Sequence, residues 1–426
     1  MKGDVGLIEA GPPQRPGGAG RDPGPPDRAA RPEAATGSGY YVPEVDALRA
    51  IAMIAVVAFH CKLLPFGWMG VWLFYVISGF SVTTALFARR QPETSVSAAI
   101  GGFYLRRALR IWPVYFAFVG VNVAVLLLLG WTAPLGDLPW LLTFTQNIRM
   151  ILTDYAPGAA WPAFGHLWTL AVEQQFYLLF PLLLFLSSRT ERGCVLLAII
   201  ALAPLVRFAV AHWAALQGWD AERIAFAVYA FAPAHFDAFA AGSLIAMFRE
   251  DIARDRRFLR AAAALSLVVC LLYVGTYGTV GVIAAGGLSI DAMRDIVSGI
   301  LYGQGRELTV YLLPDCLAAT ILIGILSGER RCLGLGRSAN LQAIGRVSYG
   351  GYLFHVPVLM VLNGLVPVFA LTHFGPLWLA AHLALFVCAL PLTVAVAFLS
   401  FTGFEQRFTR LRRGRRGQLV ARGGSA

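Results

Sequence analysis

The sequence predicts an all-α, polytopic integral membrane protein with about ten transmembrane helices around a polar interior cavity. Three observations carry that prediction. Of the 426 residues, 58% are hydrophobic and only 14% are charged, against roughly 25% charged in soluble domains. The mean hydropathy is +0.65. Apolar runs of about 20 residues, the length that crosses a bilayer as a helix, recur along the whole chain.

The elements follow in order. Residues 1–39 are rich in Gly and Pro and show no apolar periodicity. They read as a disordered cytoplasmic tail without the apolar segment of a secretory leader. A transmembrane domain is expected over 40–405 and a basic cytoplasmic tail over 406–426. Spans are expected near 45–64, 69–88, 111–131, 166–186, 193–211, 228–248, 261–281, 309–327, 346–370 and 376–402. The apolar piece Leu138–Leu152 is too short to cross and reads as interfacial or re-entrant.

Charge sets the orientation. The net charge is +11, and the arginines fall in every second loop. Arg106, Arg107 and Arg110 precede span three. Arg189 and Arg192 precede span five. Arg254, Arg256, Arg257 and Arg260 precede span seven, and Arg330, Arg331 and Arg337 precede span nine. That alternation places both termini in the cytoplasm of a multi-pass protein of the cell inner (plasma) membrane. The positive charge is explained by topology, and no basic-aromatic module points to nucleic acid. Six dispersed cysteines, with no C-x-x-C pair, argue against a disulfide or metal framework and read mostly as packing residues.

Polar residues inside spans carry the functional signal, because an ionisable group in a membrane helix needs a partner or a purpose. His60 ends the apolar run that begins after Arg49. Eleven residues turn a helix to within roughly 20° of full turns, so Arg49 and His60 share a face about 16 Å apart, with Asp46 close to it. His166, Glu173 and Tyr177 share a face of the fourth span. Arg107 and Arg110, at i and i+3, can converge on one anion, and guanidinium forks suit phosphate. Ser348, Tyr352 and His355 form a further stripe in span nine. Arg207, His235 and Asp237 are weaker signals of the same kind. Each has a bland alternative, a structural ion pair or a topology signal, and Glu173 is a candidate for pairing with an arginine. No H-E-x-x-H, G-x-S-x-G or Walker A motif is present.

In their order, V-D-A-L-R-A-I-A with His60 downstream, G-V-W-L-F-Y-V-I-S-G-F, F-Y-L-R-R-A-L-R-I-W-P, H-L-W-T-L-A-V-E-Q-Q-F-Y and V-S-Y-G-G-Y-L-F-H resemble the acyltransferase-3 family of bacterial membrane O-acyltransferases. The resemblance covers about Val45 to Phe408. It implies that His60 is the catalytic histidine, Arg49 its arginine partner, and Glu173 part of the site. It implies that Arg107 and Arg110 serve acyl-CoA. Trp72 stands where the family commonly has an aspartate, Thr169 replaces a serine, and Gln174 replaces a glutamate. The closing F-E-Q-R-F lacks its proline, which leaves Glu405 little weight.

The resemblance implies transfer of an acyl group, acetyl by family frequency, from cytoplasmic acyl-CoA to a hydroxyl of a carbohydrate-containing acceptor. That acceptor is a surface glycan, lipid-linked sugar or glycosylated metabolite. The lipid bilayer is the surrounding partner, and no metal is expected. His60 would be the general base or a transient acyl acceptor. The rival is a proton-coupled transporter or a flippase of a glycan precursor, since intramembrane Arg, His and Glu also mark proton relays. Against it, the halves show no convincing repeat and transport leaves the arginine pair unexplained.

Overall fold

The computed structural model describes residues 42–87, 95–153, 161–284, 286–288, 305–371, 375–408 and 410. The N-terminal tail and most of the C-terminal tail lie outside the described residues, as do Arg89 and Arg90. Among the described residues every regular element is a helix. The principal ones are α1 (Pro43–His60), α2 (Met69–Phe87), α3 (Val96–Leu128), α4 (Trp168–Leu186), α5 (Arg189–Leu216), α6 (Ala221–Ala230), α7 (Phe236–Met247), α8 (Arg257–Ala284), α9 (Leu312–Leu326), α10 (Ser348–Leu365) and α11 (Pro376–Ser400).

Among the described residues, seven helices are long and apolar enough to cross a membrane, and an eighth is obtained if α6 and α7, bent by 73°, form one span. The sequence reading of ten spans exceeds that number by α1 and α10. Both are helical where expected, but they hold the polar residues. Glu44, Asp46 and Arg49 fall in 18 residues of α1, and Ser348, Tyr352, His355 and Asn363 dilute α10. Composition scores them low for the same reason that they are interesting. Their polar side chains face protein, with Asp46, Ser348, Tyr352 and His355 all buried.

Two boundaries differ from the sequence reading. α3 begins at Val96, where the Ser95 hydroxyl accepts from the Ala98 amide. Arg106, Arg107 and Arg110 therefore stand on a helix rather than in a loop. Leu138–Leu152 divides into two short helices, Leu138–Leu142 and Gln146–Leu152, around Phe144 at φ 55°. Asn147, fully buried there, donates to the Ala230 carbonyl (3.1 Å) and accepts from Gln175 (2.8 Å). Gln175 also donates to the Phe144 carbonyl at 2.9 Å, so the break in the helix is tied to the neighbouring span.

Contacts between helices fix their directions. α1 and α2 are antiparallel, because Arg49 meets Ser81 while a Cβ on Gly70 would meet the Ala52 carbonyl. α2, α4 and α7 run parallel. Tyr75 and Ser78 meet Thr169 and Glu173 in one direction, and Trp72 and Tyr75 meet His235 and Phe239. α3 opposes α4, with Tyr104 at Leu178 and Trp112 at Gln174. α10 runs with α1, since Gly351 abuts Met53 and His355 meets His60.

The inside and outside of the bundle are distinct. α2 and the span that contains α4 are 67% and 61% buried, whereas those of α5, α8 and α11 are 17%, 11% and 22% buried. Leu205, Phe208, Leu271, Leu272 and Val387 project outward, as suits helices that face lipid. Of the cysteines, Cys61 is buried, but Cys194 and Cys388 are exposed on α5 and α11. The packing role expected from sequence therefore does not extend to those two, which lie on outward apolar faces.

The tightest crossing joins α2 to α7. A Cβ on Gly79 would fall on the Phe239 carbonyl, and one on Gly242 on the Val76 carbonyl. Small residues permit such backbone approach between membrane helices. Gly242→Val is expected to cost at least ~1–3 kcal/mol through overpacking, read as a lower Tm in detergent. Gly120→Ala, which meets open space, should leave Tm unchanged. Equal Tm values for the two variants would contradict this crossing.

Candidate active site

The site starts from α1. Arg49 donates through Nη1 to Asp46 Oδ1 and through Nη2 to Ser81 Oγ, both at 2.9 Å. The first bond lies along one helix face, as the i, i+3 spacing requires. The second ties α1 to α2. One turn earlier on α2, Ser78 donates to Glu173 Oε1 at 2.6 Å, and the Tyr177 hydroxyl donates to the same oxygen. Among the described residues the partners of Glu173 are thus two hydroxyls, not the arginine that its bland reading supposed.

Arg107 and Arg110 reach the same place from α3. They line one pocket with Arg49, Glu173, Tyr177, Ser348 and Tyr352. The Arg107 guanidinium lies over the Tyr177 ring at 4.8 Å, a cation–π contact that orients it. Three guanidinium groups and one carboxylate line the pocket, so its walls favour an anion. Arg110 is exposed at the rim.

The histidines gather elsewhere. His60, His166 and His355 do not line this pocket. Their rings pack edge to face, with centroids at 4.7 Å between His60 and His355 and at 5.0 Å between His166 and His355. Tyr352 stands between the two groups. It lines the pocket, its ring lies 5.4 Å from His355 and 5.6 Å from His166, and its hydroxyl accepts from Thr169 at 2.6 Å. The threonine that replaces the family's serine therefore keeps a hydrogen-bonding role. Among the described residues no group of three His, Cys, Asp or Glu side chains is placed to hold a metal ion.

Tautomers follow from the hydrogen bonds. His60 Nδ1 lies 3.0 Å from the Val56 carbonyl, His166 Nε2 3.1 Å from that of Leu353, and His355 Nδ1 2.6 Å from that of Tyr352. A carbonyl only accepts, so each of these nitrogens carries hydrogen and the other nitrogen of a neutral ring is bare. His60 is thereby oriented with Nε2 as a base.

Sequence reasoning missed several members. Tyr75, Ser78, Ser81 and Tyr349 surround the expected residues. Ser78 and Ser81 look like ordinary small residues of an apolar helix until their partners are placed. Glu405, given little weight, lies in the π-helical turn Phe401–Glu405, accepts from Ser400 at 3.0 Å and is within electrostatic reach of Arg110. Such turns in long helices often mark functional positions.

Arg207, His235 and Asp237 belong to a separate buried centre. Arg207 is fully buried, donates to the Ala234 carbonyl at 2.9 Å, pairs with Asp237, and lies under the Tyr311 ring at 5.0 Å. Asp315 adjoins Asp237. Trp72, where the family commonly has an aspartate, stacks on Tyr311 with centroids 4.9 Å apart.

Among the described residues, a helical bundle with seven or eight candidate spans thus holds an arginine-lined pocket next to a tyrosine that packs on clustered histidines. A family profile described as an acyltransferase domain matches residues 42–402, and the chain belongs to this acyltransferase-3 family. Peptidoglycan O-acetyltransferase OatA of Listeria monocytogenes is 27% identical over 385 residues, covering 86% of this chain and 55% of the relative. O-acetyltransferase OatA of Staphylococcus aureus is 26% identical over 344 residues, covering 77% and 53%. The chain thus spans about half the length of these curated relatives. No solved structure matches it.

Proposed function

We propose that this protein transfers an acyl group, acetyl by analogy with its relatives, from acyl-CoA to a hydroxyl of a carbohydrate-containing acceptor. The observation that carries this reading is the convergence of Arg49, Arg107 and Arg110 on one pocket that Tyr352 also lines, with His166 and His355 packed against the Tyr352 ring. Guanidinium groups suit the phosphates of CoA. The pantetheine arm extends from them toward Tyr352, bringing the thioester to the histidine side. The names of the relatives support acetyl transfer to oxygen, and peptidoglycan is a glycan.

In this reading His60 Nε2 takes the proton of the acceptor hydroxyl as its oxygen bonds to the acyl carbon. The carbon–sulfur bond breaks, and CoA leaves as a thiolate that is protonated from water at the pocket. Glu173, held by Ser78 and Tyr177, keeps those hydroxyls and Arg107 in place along the thioester path.

The same reading includes ten crossings of the inner membrane, with α1 and α10 as enclosed spans and both termini cytoplasmic. Two observations support it. The arginine-bearing loops alternate, and the helix directions alternate with them: α2, α4 and α7 run together, opposed to α1, α3 and α10. A cysteine probe at Asp220, exposed before α6, should react with an external reagent, and one at exposed Arg256 should be protected. The opposite labelling pattern would reverse the orientation and the route for CoA.

Arg107→Ala and Arg110→Ala should each weaken acyl-CoA binding without loss of folded protein, with lysine restoring only part of it because it lacks the planar fork. Wild-type acyl-CoA affinity in both alanine variants would reduce these arginines to topology signals. His60→Ala should lower turnover by at least about 10²-fold and leave acyl-CoA binding intact, since His60 lies outside the arginine pocket. Near-normal transfer by a well-inserted His60→Ala protein would sink the mechanism.

A further inference from the structure

We infer that His355 is the proton-sharing partner of His60, so that the base of the reaction is a pair of imidazoles rather than one. The inference rests on the acyl-transfer reading above and goes beyond it. His355 is fully buried, and its Nδ1 donates to the Tyr352 carbonyl. Its Nε2 is therefore bare, and among the described residues it has no hydrogen-bond partner. His166 is in the same state, with Nε2 donating to Leu353 and a buried, unpartnered Nδ1.

A buried acceptor without a donor is unfavourable and calls for an explanation. Here the explanation lies next to it. His60 packs on His355 at 4.7 Å between centroids, is half-buried, and has its own Nδ1 occupied by the Val56 carbonyl. In the neutral state the two rings meet edge to face and His355 Nε2 has no hydrogen-bond partner; a protonated His60 offers it a donor one ring contact away. The proton that His60 takes from the acceptor hydroxyl is the donor that the cluster lacks. The O–H bond breaks, the proton is held between His60 and His355, and it leaves to water through the half-exposed His60 ring after the ester has formed. His355 touches no substrate, because it acts through His60, and is a positioning residue. The titratable groups in ring contact with it are His60 from α1, His166 from the turn before α4, and Tyr352 on its own helix.

Two variants separate proton sharing from packing. His355→Phe keeps a ring of similar size and its edge-to-face contacts but removes both nitrogens. His355→Gln keeps a donor and an acceptor. With a purified, reconstituted full chain, acetyl-CoA and a sugar acceptor, His355→Phe should lower kcat by about 10- to 100-fold, the scale of one hydrogen bond to a charged group. The KM for acetyl-CoA should not change, and His355→Gln should recover part of the loss. Wild-type kcat in His355→Phe together with a collapsed His60→Ala overturns this inference alone. Wild-type kcat in His60→Ala overturns His60 as the base and this pairing with it, whereas a wild-type chain that transfers no acetyl group overturns the acyl-transfer reading itself. Nitrogen-15 spectra of histidine-labelled wild-type protein give a second check that does not depend on how the variants fold. His355 with hydrogen on Nδ1 and a bare Nε2 is expected, and the reverse tautomer would overturn the pairing.

Discussion

The constraint on which this structure depends is that a charge inside a bilayer must be enclosed by protein. Arg49 lies within α1, and hydrocarbon would impose a cost of at least ~2.5 kcal/mol for an exposed arginine at mid-helix. The cost is avoided because Asp46 and Ser81 accept its two forks. That in turn requires α2 against one side of α1, while α10 and the helix Ala339–Arg346 cover the others; a Cβ on Gly345 would fall on the Asp46 carbonyl. The helix that carries this ion pair is therefore enclosed, and α5, α8 and α11 are left for the periphery.

Enclosure creates two neighbouring environments with different chemistry. One is an open pocket with an excess of guanidinium. The other is a set of imidazoles whose hydrogens are committed to helix carbonyls. Tyr352 belongs to both, lining the first and packing on the second. The first has walls that favour an anion, and the second presents imidazoles whose other ring nitrogens are left bare. If both chemistries shared one space, the arginines would lie against the base and oppose its protonation. A single aromatic ring, that of Tyr352, lies between the two.

The buried centre at Arg207 shows the same constraint solved for stability. A buried ion pair gains little over apolar packing, but breaking one costs ~3–5 kcal/mol because a naked charge remains. Arg207 and Asp237 hold α5 against α7. Trp72 and Tyr311 cover them with flat apolar surface. Where the family commonly has a carboxylate, Trp72 thus contributes stacking area to this centre.

The sequence by itself determined the all-helical class, the long apolar helices, and the stripes that place Asp46 with Arg49 or Ser348 with Tyr352. These features depend on spacing within one helix, where 3.6 residues per turn decides who is neighbour to whom. It also carried the family resemblance, which the profile match over 42–402 bears out. The tertiary structure decided which stripes meet. Glu173 looks equally ready for an arginine or a hydroxyl, and the parallel packing of α4 on α2 gave it Ser78. Arg107 and Arg110 look like topology signals until α3, longer than its apolar core, carries them to the pocket. His60, His166 and His355 come from positions as far apart as 295 residues, and no local pattern links them. Contacts between helices are set by which faces exclude lipid together, a property of pairs of helices that no single helix encodes.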